Sequence, residues 1–401
     1  MTTLHKSLKR KQQKHVAMLA KVEKTADRLD RRKLKLGELE TSIAELERRV
    51  AEPGKRRGAN GDASQGVRRA QLIFNPASGK DEGNNAMRLS QIVSSLQAHR
   101  IEATIGFKTS GKAARALAKD AVRHGLPLVI VAAGDGTIGD VASQLIGSST
   151  VLAVVPIGTM NNVARSLGVP LEIDDACALI GMGTTRHIDV GRLHSNQSKH
   201  DEYFLECAGV GLAAIGALAG QAFEKRHWRV LPRVFQRFFQ AKLGTMRIEL
   251  DDTEIQASTR IVTVSNAPLM GNNMLAAPGA KMDDGYLDVS VYDGMGDAAL
   301  VGHFHAAAAH KPDDLKSYRA RRVRITTEET VLASSGGDIA PERHIVEIEI
   351  VPAALSMIVG NGIGLTIPVE SAPAAPTYAL DPPNHNGVAK DDTTQPAPAH
   401  A

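Results

Sequence analysis

The chain has 401 residues, 43% of them apolar, with a formal net charge of +4, two cysteines and one tryptophan. That length holds two or three domains, and the apolar content is that of a globular chain with a full core, which excludes a fibrous or wholly disordered protein. No apolar run approaches the roughly 18 residues of a spanning helix, the N-terminus is polar and basic with no h-region, and Cys177 and Cys207 have no ligand-like spacing; these argue against a transmembrane protein, a disulfide scaffold and a zinc site. The expected setting is cytoplasmic, soluble or peripherally membrane-associated, with both cysteines as buried small hydrophobes.

The charge is unevenly spread. Residues 1–57 carry 17 Lys/Arg against 8 Asp/Glu, a net +9, and the remaining 344 residues sum to −5. A seven-residue repeat at Leu8, His15, Val22, Leu29, Leu36, Ile43 and Val50 predicts a long helical arm, paired as a coiled coil or packed back on the body, with a solvated single helix as the alternative. A homodimer through these heptads or through the folded body would follow from pairing. The first 35 residues hold 12 Lys/Arg and 3 acids, a density suited to an anionic membrane surface. No aromatics are interleaved there to stack bases, so nucleic acid is not an expected partner. Residues 58–67 are Gly-rich and polar and read as a linker.

From Arg68 strand-like and helical runs alternate: strands over 69–74, 101–107, 128–132 and 151–155, helices over 83–99, 111–124, 138–147 and 161–167. This alternation predicts a doubly wound α/β domain over 68–186. Over 187–367 short alternating segments accumulate, at 187–193, 203–208, 245–250, 253–256, 259–265, 286–292, 321–327, 330–334 and 344–350, with one helical stretch at 211–241. They predict a mainly antiparallel β-sandwich. Residues 368–401, rich in Pro, Ala, Asp and Asn, are expected to be disordered.

Three of the α/β strands run into tight loops of small residues: Asn75-Pro76-Ala77-Ser78-Gly79-Lys80, Ala133-Gly134-Asp135-Gly136-Thr137, and Gly158-Thr159-Met160-Asn161-Asn162. Ligands of an open parallel sheet sit outside the carboxyl ends of its strands, so the three loops predict one phosphate-binding crevice. In the second loop the glycines admit a close backbone approach, Thr137 is placed to cap a helix opening at Ile138, and that helix start favours an anion. Asp135 beside a phosphate calls for a metal ion or a sugar hydroxyl. The first loop is not a Walker A sequence, which occurs nowhere in the chain. Asn161 or Asn162 is the expected cap of the helix that follows the third loop.

In this order the motifs resemble the diacylglycerol kinase catalytic domain family, which includes bacterial lipid kinases and sphingosine kinases. The N-P-x-S-G loop of that family matches Asn75–Gly79, its G-G-D-G-T loop matches Ala133–Thr137 with one change, and its P-x-G-T-x-N loop matches Pro156–Asn161. A fourth match runs from Asn266-Ala267-Pro268 to Ala277-Pro278-Gly279-Ala280-Lys281-Met282-Asp283-Asp284-Gly285-Tyr286-Leu287-Asp288-Val289. The resemblance implies a two-domain kinase that binds ATP through Asn75–Gly79, Thr109, Ala133–Thr137, Gly158, Thr159 and Asn161. It also implies a magnesium loop at Asp284 with the carbonyls of Lys281 and Tyr286, and Asp189 as a further member of that acidic network. The family's late acidic turn corresponds to Ser335-Gly336-Gly337-Asp338, which makes Asp338 the candidate general base.

Two departures stand out: Gly336 replaces the first acid of that turn, and Asn162 stands where the family usually has Asp, which removes a carboxylate from the metal network. The readings are an ATP- and Mg²⁺-dependent kinase of diacylglycerol, a sphingoid base or a related amphipathic alcohol; a kinase of a soluble acceptor, in the manner of NAD kinases; and a non-catalytic nucleotide- or lipid-binding module. The acceptor pocket is expected in the second domain, along the apolar residues of 205–223 and 231–243.

Overall fold

The computed structural model describes residues 67–79, 84–194, 201–214, 244–311, 315–335 and 338–360. The arm, nearly all of the linker, Lys80, the helix expected beyond residue 214 and the tail lie outside the described residues.

The first domain alternates as its pattern demands: β1 (Arg68–Phe74), α1 (Asn85–Ala98), β2 (Ile101–Phe107), α2 (Gly111–Arg123), β3 (Leu128–Ala133), α3 (Asp135–Leu145), β4 (Val151–Pro156), α4 (Asn162–Ser166) and α5 (Ile173–Met182). The four strands are parallel in the order β2-β1-β3-β4. Every residue of β3 is buried, because a central strand covered on both faces must be apolar throughout. Ser110 starts α2, its Oγ accepting from the Ala113 N–H at 3.1 Å, and the small residues Ala114, Ala118 and Ala121 let the helix lie close on the sheet. Because β2 and β3 flank β1, the order reverses between β1 and β3, and the crevice at their carboxyl ends is the topological switch point.

The second half begins with β5 (Thr185–Leu193), β6 (Glu202–Phe204), β7 (Cys207–Gly211), β8 (Gly244–Leu250), β9 (Thr253–Thr259) and β10 (Ile261–Ser265). It continues with β11 (Leu269–Met270), β12 (Met274–Leu275), β13 (Leu287–Val291), α6 (Asp297–Ala308), β14 (Lys316–Ala320), β15 (Arg322–Ser335) and β16 (Asp338–Ile358). Its strands pair antiparallel. One edge of β15 follows β16, while the other pairs first with β8 at Val323–Thr327 and then with β7 at Ala333–Ser335. The β15–β16 hairpin therefore belongs to two sheets, and its register shifts between Thr326 and Ala333 mark the bend. Ile248, Val264, Val289, Ile325 and Ile348 meet in one core drawn from both sheets.

Several elements differ from expectation. The strands expected at 321–327 and 330–334 are one strand, β15, and the one at 344–350 is the middle of the 21-residue β16. Helices α5 and α6 and strand β14 were not expected; α6, Asp-Ala-Ala-Leu-Val-Gly-His-Phe-His-Ala-Ala-Ala, carries small and apolar residues on all sides and no helical stripe. The boundary expected at 186/187 falls inside β5. That strand pairs with β16 along its length, Thr185–Ile188 against Leu355–Ile358 and Val190–Leu193 against Ile348–Val351. Met357 of β16 also pairs, parallel, with Leu152 of β4. The two strands run unbroken from one domain into the other, and Leu355, Met357, Ile358 and Val359 complete the first domain's core.

Candidate phosphate-binding cleft

The three loops converge at the switch point. An added Cβ on Gly158 would lie 2.4 Å from the Gly134 Cα, and one on Gly79, whose φ is +84°, would lie 2.8 Å from the Ile157 carbonyl oxygen. Glycine at 158 is thus required by the contact between two loops, a Cβ on Gly134 would sit tightly at 3.2 Å from the Gly158 Cα, and Gly79 is required by a left-handed turn against the third. Ala133 takes the place of a glycine without strain, since it ends β3 in extended conformation with no positive φ.

Polar side chains lock these turns to one another. Asn75 Oδ1 accepts from the Ala77 N–H at 3.1 Å, and its Nδ2 donates to Ser78 Oγ at 2.8 Å and to Thr137 Oγ1 at 3.3 Å. Lys108 Nζ donates to the same Thr137 oxygen at 2.7 Å. Two donors on the Thr137 oxygen leave its own O–H as the group it can offer a ligand. Pro76 holds Asn85 through its carbonyl, and Thr109 stands exposed one residue beyond Lys108. Asn161, at φ +56°, folds its side chain back: Oδ1 accepts from the Gly158 N–H at 2.9 Å and Nδ2 donates to the Gly158 carbonyl at 3.2 Å.

Two expected caps are corrected. Helix α3 opens at Asp135, not Ile138, with Gly134 at its N-cap and no side-chain cap, so Thr137 lies inside the first turn, where its N–H donates to the Gly134 carbonyl at 3.0 Å and the positive end of the helix faces the loops. Asn161 stands at the N-cap of α4 as expected, but its side chain makes no capping bond. Asp135 takes that role from the neighbouring loop, its two oxygens accepting from the N–H groups of Asn162 and Val163, both at 3.1 Å. A carboxylate at a helix N-terminus is favoured by the dipole. Burial raises its pKa, and the N–H groups of Val163 and Asn162 pull the other way.

Asp135 opens onto a cleft of about 680 Å³ between the two domains. Lys112, Arg115 and Lys119 of α2 form a basic wall; Tyr203, Leu205 and Glu206 line the second domain's side, with Ser335 at the end of β15. Asp338 opens β16 as the register partner of Ser335, which brings the candidate base's backbone to the cleft.

The acidic turn is held by protein groups. Asp284 Oδ2 is ion-paired with Arg319, its Oδ1 accepts from the Tyr286 N–H at 3.2 Å, and Arg319 stacks 4.7 Å from the Tyr286 ring centre. Burial raises the Asp284 carboxyl, with Arg319 opposing. Asp189, buried, accepts from the Gly285 N–H at 2.6 Å and the Ala353 N–H at 2.7 Å, so both of its oxygens serve backbone. Lys281 is exposed, and among the described residues no group of three or more His, Cys, Asp or Glu side chains is placed to hold a metal ion. As folded, the turn does not fit a divalent cation, because Arg319 already holds the carboxylate that the ion would need.

Sequence reasoning missed Lys108 and Glu206. Lys108 follows β2 directly and sits beside Thr109, which was singled out, yet its role shows only where β2 meets the second loop. Nothing in the sequence around Glu206 separates it from a surface acid.

A parallel α/β layer with three interlocked glycine loops at its switch point, facing an antiparallel β domain across a cleft, defines a two-domain α/β-plus-β architecture. Residues 69–193 match the diacylglycerol kinase catalytic domain, and residues 224–359 match the YegS C-terminal NAD kinase beta sandwich-like domain. Residues 69–193 therefore carry the diacylglycerol kinase catalytic domain, and the segment that follows is similar to a separate sandwich-domain family. It is 26% identical over 288 residues to the diacylglycerol kinase of Bacillus subtilis (strain 168), covering 68% of this chain and 90% of that one. To the diacylglycerol kinase of Mycobacterium tuberculosis (strain CDC 1551 / Oshkosh) it is 28% identical over 258 residues, 61% of this chain and 81% of that one. A crystal structure of a diacylglycerol kinase from Bacillus anthracis str. Sterne shares the fold with a TM-score of 0.57 at 22% identity, covering 74% of this chain and 98% of that one.

Proposed function

We propose that the protein is an ATP-dependent lipid kinase that transfers the γ-phosphate of ATP to a hydroxyl of diacylglycerol, a sphingoid base or a related amphipathic alcohol. The observation that carries this reading is the interlocking of the three loops, with Gly134 and Gly158 in contact and the N-terminus of α3 beside them. A triphosphate suits that cradle: backbone N–H groups, the Thr137 hydroxyl and the Lys108 ammonium are donors for phosphate oxygens. Transfer then needs in-line positioning, charge neutralisation and a base near the acceptor. The basic wall of α2 supplies positive charge, and a magnesium ion carried with ATP supplies more. The acceptor hydroxyl enters from the second domain, and Asp338 takes its proton.

Incubation of the purified full-length chain with γ-labelled ATP, Mg²⁺ and a panel of lipid and soluble alcohols tests the reading. Label is expected on a lipid. Label on a soluble alcohol alone makes the protein a kinase of soluble acceptors, and ATP binding without transfer makes it a binding module. Membrane association through the basic arm belongs to the same proposal. Deleting residues 1–57 is expected to weaken salt-sensitive binding to anionic vesicles, each lysine or arginine near the surface contributing about 1 kcal/mol; equal sedimentation of both forms would remove the arm from the account.

A further inference from the structure

Asn162 opens α4 and spends its side-chain amide across the domain boundary. Its Nδ2 donates to Glu206 Oε2 at 2.8 Å and to the Gly271 carbonyl at 2.9 Å, while its main-chain N–H goes to Asp135. A carbonyl can only accept, so position 162 must present a donor to Gly271. A carboxylate there would face a carbonyl oxygen and a second carboxyl group at once. The amide at 162 is therefore the group its surroundings require. The carboxyl lies on the other side of the contact, at Glu206, whose own backbone is pinned by the N–H groups of Asn266 (2.8 Å) and Ala267 (3.0 Å) on its carbonyl.

We propose that Glu206 is a positioning residue of the phosphoryl-transfer site, fixing through the Asn162 amide the start of α4 that Asp135 caps, and so fixing Asp135 itself. The inference rests on the kinase reading of the cleft. Burial first, and the neighbouring Asp135 carboxyl second, push Glu206 up to about 8, with the Asn162 amide opposing. Near pH 7 Glu206 keeps its proton. Above about pH 8 Glu206 ionises, and its charge is set against the Asp135 carboxyl through Asn162, whose side-chain amide holds Glu206 and whose main-chain N–H holds Asp135. The other charged groups lining the cleft are Lys112, Arg115 and Lys119 on α2, Asp140 on α3, and Asp201 and Glu202 on the second domain's side. Arg115 is ion-paired with Asp140.

The test compares full-length wild type, Glu206→Gln and Glu206→Ala, with 1,2-dioleoylglycerol in mixed micelles as acceptor, from about pH 6 to about pH 9.5. Wild-type kcat is expected to fall on the alkaline side with a midpoint near 8. Gln, which accepts from Asn162 as the protonated acid does, should lack that limb and exceed Ala about tenfold at neutral pH. Gln and Ala falling equally, with the wild-type limb retained, would overturn the proposal. Melting curves give a readout independent of transfer. A carboxyl raised in the folded state adds stability below its unfolded pKa and loses it as pH rises through the folded value, so the Gln variant's melting temperature should gain on wild type between about pH 5 and about pH 8. A pH-independent gap would overturn the coupling. If wild type phosphorylates no acceptor, the kinase reading fails, and the melting curves alone decide whether Glu206 holds its proton in the fold. Asn162→Asp should lower the melting temperature, and adding Glu206→Gln should restore part of the loss, since Gln offers Asp a donor; strict additivity would count against the pairing.

Discussion

A methyl group on Gly158 has nowhere to go, because the Gly134 backbone occupies that space and the Asn161 Oδ1 would lie 2.8 Å from it as well. Gly158→Ala should cost about 1–3 kcal/mol as overpacking does, and weaken ATP binding at least tenfold by isothermal titration; unchanged affinity would show that the loop contact does not shape the cradle. Gly136→Ala meets open space in the first turn of α3 and should hold or raise the melting temperature, which separates crowding from the mere loss of glycine. These positions were legible in the sequence because only glycine tolerates such contacts, so the pattern of residues is the pattern of constraints. Lys108 and Glu206 were not legible. A lysine after a strand and a glutamate before one are common, and only the folded chain shows that each meets a loop some 30 to 45 residues away.

At the scale of elements, period-2 and period-3.6 patterns placed β1 to β4 and the three longest helices of the first domain within a few residues. They failed where tertiary contact replaces periodicity. Helix α6 has no stripe to read, and β15 and β16 read as shorter strands because a bent hairpin changes which face is buried partway along. The join between domains escaped for the same reason: β5 changes surroundings at Asp189 without changing character. The Asp189 carboxylate holds the β16 backbone at Ala353, where φ is +50° and the register with β5 shifts, and ties it to the turn at Gly285. Expected in an acidic network around a metal, it works as a backbone clamp. Asp189→Ala should destabilise the chain by about 2–4 kcal/mol in urea titration, since two part-buried N–H groups lose a charged acceptor. Chelator should leave the wild-type midpoint unmoved, because Arg319 already neutralises Asp284; a large shift would show a bound cation holding the turn.

On the scale of the whole molecule, the first domain is not a separable unit. Its core takes in Leu355, Met357 and Ile358, β4 pairs with β16 at Met357, and the Gly360 N–H donates to the Leu167 carbonyl at 3.0 Å. A fragment of residues 68–186, chosen from the sequence boundary, is expected to be insoluble or molten by heteronuclear NMR, whereas 68–360 should give dispersed spectra; a well-folded short fragment would mean that the returning strand is dispensable. During translation this geometry has a cost in time. At the usual 5–20 residues per second the ribosome needs roughly ten to forty seconds to go from β4 to the strand that covers its open edge. Throughout that interval the nascent domain presents an apolar strand with unpaired backbone groups, a template for association with other chains. Supply of this protein in the cell should therefore depend on how well a chaperone shields nascent chains over that stretch of synthesis.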